Sequence, residues 1–141
     1  MPAMTASAPQ RRDVIEVFVP GKLQQVANGS LSRAHWSRKS AWAKGWTNKT
    51  RLVLLRNAQS FGDNLAWKKY CPAPKQITFL AQVGALWDDD NLPGAIKPIR
   101  DALIGYVIHS DAPDSGHRFE YAQVVNRKER GVRITITPVA P

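Results

Sequence analysis

Apolar and polar positions divide this chain into six regular segments with two different periods. Residues 13–19 (DVIEVFV) are rich in β-branched and aromatic side chains and predict a strand, which Pro20-Gly21 ends. Residues 22–34 carry Asn28-Gly29-Ser30 and predict a loop. From His35 to Ser60 the period becomes helical. Trp42, Trp46 and Val53 fall near one face, Leu54 and Leu55 widen it, and basic residues occupy the others. One or two helices are expected there, with Gly45 as a candidate break. Pro72 and Pro74 argue for a loop before the next strand, Lys75 to Trp87, in which Gly84 suggests a bulge. That strand runs straight into Asp88-Asp89-Asp90-Asn91.

A second helix is expected from Ala95 to Val107, with Ile96, Ile99, Leu103 and Tyr106 on one face. Pro98 suits only a first turn, which sets the expected start near Ala95. After a polar loop at 109–117, Phe119–Asn126 and Val132–Pro138 alternate as a β-hairpin around Lys128-Glu129-Arg130-Gly131. The expected order is β-α-β-α-β-β. This is an α/β (α+β) pattern, a mixed sheet packed with helices, in one domain over 13–141 after a flexible basic arm at 1–12.

Composition narrows the functional classes. At 141 residues and 43% hydrophobic, the chain can bury one core. It has no apolar run long enough to span a membrane and no signal-peptide pattern at Met1–Gln10. Cys71 is the single cysteine and reads as a core residue of a cytoplasmic protein. The net charge of +9 suggests a polyanionic partner, although a merely basic surface accounts for it equally well. Its distribution says more. Residues 1–60 carry a net +8 with only two acids, whereas six of the eleven acids lie between Asp88 and Asp114. Carboxylates beside a phosphate-binding surface repel the phosphate unless a cation lies between them, and this conflict points to a metal.

Asp88 and Asp90, two apart at a strand end, share one side of the strand. Paired carboxylates on one face favour a bridging cation, and Mg²⁺ takes such oxygen ligands together with water and substrate phosphate. Asp89 then faces away, and Asn91 orients the site or caps the following helix. A solvated acidic turn is the plain alternative. Lys97 and Asp101 stand i,i+4 on the helix, as a site pair or an ordinary surface ion pair. Asp111 and Asp114 lie just past the helix. A helix of about 13 residues is roughly 20 Å long. A strand starting near Arg118 and pairing with the one ending at Trp87 is the expected way back. His35, His109 and His117 are isolated and read as loop or surface residues.

Asp88-Asp89-Asp90-Asn91, then Lys97, Asp101-Ala102-Leu103 and the Asp111-Ala112-Pro113 loop, resemble the signature of RusA-type Holliday junction resolvases. Those proteins carry D-x-D-N, a Lys, a D-A-L or D-G-L, and a short loop with a further Asp. The stretch from Asn28 to Lys44, with Arg33, His35-Trp36, Arg38 and Lys39, is similar to the basic segment of phage-type members. The resemblance covers about residues 14–137 and is specific over 88–114. Two departures stand out. An insertion around Pro93-Gly94-Ala95 leaves Gly94 where the compact pattern has its Lys. The loop reads Ser110-Asp111 instead of Asp-Asp.

The resemblance implies a small homodimeric endonuclease with a RusA-like domain. Such an enzyme is Mg²⁺-dependent (Mn²⁺ a substitute), cuts four-way DNA junctions by paired symmetric nicks, and serves recombination and repair in a bacterial or phage-infected cytoplasm. It implies Asp88, Asp90 and Asp111 as metal ligands, with Asp114 as the alternative third, Asp90 and Lys97 as catalytic groups, and Asp101 and Asn91 as accessory residues. Arg33, Trp36, Arg38, Lys39, Lys44, Lys49 and Arg51 would contact DNA, since aromatics among cations can stack on unpaired bases. Two other readings remain open. One is a non-catalytic basic DNA-binding protein. The other is a nuclease of the same fold acting on other branched or flap DNA.

Overall fold

A computed structural model describes residues 14–24, 36–61, 74–87, 91–108, 110, 112 and 115–138. For 36–37, 58–61 and 138 it describes the backbone alone. The expected arm at 1–12 and Cys71 lie outside the described residues. Six elements follow one another: β1 (Ile15–Pro20), α1 (Trp36–Phe61), β2 (Lys75–Val83), α2 (Leu92–Leu103), β3 (Arg118–Val125) and β4 (Gly131–Pro138). The strands form one mixed sheet in the order β1-β4-β2-β3, and with the two helices the class is α+β.

Period-2 alternation explains why one face of the sheet is buried. Ile15, Val17 and Val19, then Ile77, Phe79, Ala81 and Val83, then Val132, Ile134 and Ile136 all lie inside. They pack with Trp46 and Leu54 of α1 and with Leu92, Ile96, Ile99 and Leu103 of α2. On the other face, Arg133 stacks over Phe18 at 5.0 Å and pairs with Glu16 at 3.1 Å.

The expected hairpin is not formed. β3 and β4 flank β2 on opposite sides, β3 parallel to it and β4 antiparallel. A parallel neighbour requires a crossover, and α2 provides it between β2 and β3. The link from β3 to β4 then passes over the end of β2. Asn126 N–H donates to Val83 O at 2.9 Å, Gln82 Nε2 donates to Glu129 O, and Arg127 Nε donates to Gly84 O at 3.0 Å.

α1 is a single helix through Gly45, and a Cβ there would meet nothing within 4 Å. Its inward face runs Trp46, Thr50, Leu54. The buried Thr50 hydroxyl donates to Trp46 O at 2.8 Å, so it costs little inside. Leu55, expected to widen this face, is 57% exposed. α2 begins at Leu92, three residues before the expected start, with Pro93 in its first turn and Pro98 in its interior. It stops at Leu103 because Gly105 takes a φ of +91°, a conformation that suits glycine. Tyr106, expected on the helix, therefore lies in the following turn.

Candidate functional site

The acidic run leaves the sheet from an anchored point. β2 ends at Val83, not at Trp87 as expected, and the chain bends at Gly84-Ala85. Trp87 then lies against β3. Its backbone N–H donates to Gln123 Oε1 at 2.8 Å, and Gln123 Nε2 donates to Trp87 O at 2.8 Å. One side-chain amide thus mimics a strand partner. On the other flank, Asn91 is buried at the N-cap of α2, where its side chain makes no capping bond. Asp88, Asp89 and Asp90 lie outside the described residues, between these two anchors.

Asp111 and Asp114 also lie outside the described residues. The strand expected to lead back from them, β3, is described. β3 does pair with β2, but in parallel, so Arg118 sits beside Gln76, at the end of β2 remote from Trp87. Lys75 N–H donates to His117 Nδ1 at 3.0 Å and holds the entry to β3 at that end. The buried Lys75 Nζ donates to Val107 O, tying the same end to the turn after α2. Among the described residues, no group of three or more His, Cys, Asp or Glu side chains is placed to hold a metal.

Lys97 and Asp101 do meet. Nζ lies 3.2 Å from Oδ2 in an exposed i,i+4 pair. Such pairs contribute about 0.3–0.5 kcal/mol, so an incoming anion displaces the carboxylate at small cost. The pair lines a cavity of about 450 Å³ between α1 and α2, with Lys39, Ser40, Trp42, Ala43, Lys44, Thr47, Gly94 and Pro98. Thr47 Oγ1 donates to Pro98 O at 3.0 Å and joins the two helices at its floor. Residues about 50 positions apart in sequence, Lys39 and Lys44 on one helix and Lys97 and Asp101 on the other, thereby share one opening.

No family model and no curated protein matches the sequence.

The expected DNA contacts separate into two groups along α1. Arg38 and Lys44 are exposed, and Lys39 is half-buried at the cavity. Lys49 instead donates to Pro20 O at 2.8 Å and lies 4.4 Å over the Trp46 ring. Arg51 is half-buried, 5.8 Å over the Tyr106 ring. These two serve the fold. Arg33 lies outside the described residues, as does the side chain of Trp36.

Sequence reasoning missed Gln123, Tyr121 and Thr47. Tyr121 accepts at its hydroxyl from Arg100 Nη1 at 2.8 Å and stacks on Phe79 at 5.5 Å, which fixes α2 on the sheet. Gln123 did leave a signal, being a polar residue at the inward position of the series Phe119, Tyr121, Gln123.

The insertion around Pro93-Gly94-Ala95 falls within the first turns of α2. Three residues are nearly one helical turn, so Gly94 and Lys97 are neighbours on one face, and both line the cavity. Lys97 therefore opens onto the same space as the position where the compact pattern has its lysine.

Proposed function

We propose that this chain is a Mg²⁺-dependent endonuclease of the RusA type, acting as a homodimer that resolves four-way DNA junctions by paired symmetric nicks. One observation carries the reading. The two separate parts of the resemblance, the basic segment of α1 and the lysine-aspartate signature of α2, line the same cavity. A surface ion pair alone gives no reason for Lys39 and Lys44 to be there as well.

Asp88 and Asp90 are the proposed metal ligands, flanked by the Gln123 clamp on Trp87 and by the buried Asn91. Asp111 rests on the resemblance alone, because β3 begins at the far end of β2. A Mg²⁺ held by these carboxylates supplies an activated water and neutralises phosphate charge. Lys97 contributes a fixed positive charge toward the phosphate, where negative charge grows in the transition state. Arg38, Lys39 and Lys44 hold the flanking backbone.

The test is cleavage of a synthetic four-way junction with and without Mg²⁺, using the parent and Asp90→Asn. The expected outcome is metal-dependent paired nicks by the parent, and a variant that binds the junction but does not cut it. Equal cutting by the variant would exclude the metal site. Binding without cutting by the parent would select the non-catalytic reading. A preference for flaps would select a different branched substrate.

A further inference from the structure

The cavity between α1 and α2 holds more than a phosphate requires. The lining carries three lysines, Lys39, Lys44 and Lys97, against one acid, Asp101, so its charge favours an anion. Yet most of the wall is apolar, made by Trp42, Ala43, Pro98 and the lysine stems. A phosphate alone has no use for such a wall. At about 450 Å³ the space is within the usual size range for small-molecule sites.

An apolar slot edged by lysines matches a nucleobase joined to its phosphate: the base finds an aromatic and aliphatic wall, and the phosphate finds cations.

We propose that this cavity receives one unstacked nucleotide of a DNA strand, its base against Trp42, Ala43 and Pro98 and its phosphate on Lys39, Lys44 and Lys97. The proposal rests on the reading of the chain as a DNA-binding protein, and it adds a base-dependent contact beside the reacting phosphate. Base-aromatic contacts tolerate any sequence, whereas cations alone bind the backbone whether or not bases are present.

Gly94 provides a clean probe. Gly94 lines the cavity and a Cβ there meets nothing within 4 Å, so Gly94→Leu starts its side chain in open space at the cavity. The experiment measures anisotropy of a labelled hexathymidylate strand and of an abasic strand of equal length. It is run without divalent metal, so cutting plays no part. The parent should bind the thymidine strand about tenfold more tightly than the abasic one. Gly94→Leu should remove that preference while melting no lower than the parent, since leucine is the better helix former, and while keeping its affinity for the abasic strand. Lys44→Ala should weaken both strands alike and reduce the salt dependence by about one phosphate contact.

Equal binding of the two strands by the parent overturns the proposal, as does a preference that survives Gly94→Leu. Thymidine monophosphate competing as well as the strand overturns it in favour of a free nucleotide. A base preference in a protein that cuts no junction leaves the cavity in place and removes the nuclease. Junction cutting without base preference does the reverse.

Discussion

Lys97 and Asp101 show how little a contact can say until its surroundings are known. Both side chains are well exposed, at 60% and 42%, and their 3.2 Å separation is that of an ordinary helical ion pair. As a stabilising feature it is minor. Asp101→Asn should therefore change stability by no more than about 0.5 kcal/mol, measured by chemical denaturation. Lys97→Ala should be similarly mild for stability but severe for chemistry. Removing a fixed charge from a transition state typically costs about a hundredfold or more in rate. Single-turnover junction cleavage should fall by that factor, with junction affinity changed only a few-fold. A Lys97→Ala enzyme that cuts at the parental rate would leave Lys97 as a surface residue. The pair was legible in the sequence as an i,i+4 spacing, but its neighbours Lys39 and Lys44 were not, because no spacing rule relates residues on separate helices.

Each helix carries an instruction that local patterning conveyed only in part. In α1 the 3.6-residue period identified the inward Trp46 and Leu54, yet it could not separate cations that serve the fold from those facing solvent. Lys49 is bonded to Pro20 O and lies over Trp46, whereas Lys44, one and a half turns earlier, is exposed at the cavity. Lys49→Ala should destabilise the protein by about 1 kcal/mol through the lost hydrogen bond and ring contact. It should leave the salt dependence of DNA binding unchanged, in contrast to Lys44→Ala. Equal salt slopes for the two variants would break this division.

In α2 the first-turn rule for proline applied to Pro93, not to Pro98, and this accounts for the displaced start. The relocated lysine gives a sharper test. If Lys97 does what the compact pattern does from position 94, then Gly94→Lys should restore cleavage to Lys97→Ala, to within about tenfold of the parent. The open space at Gly94 makes the double variant foldable. No recovery would mean that the two positions are not equivalent.

The sheet marks where reading from sequence stops. β-branched content and alternation located β1 and β4, because both are local properties of a strand. They could not assign neighbours. Strand adjacency is decided by crossovers and by the whole core, so β2 sits between two strands that look like a hairpin. That arrangement also sets the scale of the proposed site. With β3 parallel to β2, β3 starts at Arg118 beside Gln76, whereas Trp87, the last described residue before Asp88, is held by Gln123, five residues or roughly 17 Å further along β3.

A symmetric cut of a four-way junction needs two sites related by a two-fold axis, and this yields a prediction at the level of the assembly. Parent protein mixed with about a tenfold excess of Asp90→Asn, after subunit exchange, places most active subunits beside an inactive one. If two chains act together, the product should change from resolved duplexes to junctions nicked on one strand. A denaturing gel would show the nick while a native gel still shows four arms. If each chain acts alone, paired cuts should persist, merely diluted. That outcome would remove the homodimer from the proposed function while leaving the metal-dependent nuclease intact, since the carboxylate pair and Lys97 belong to a single chain.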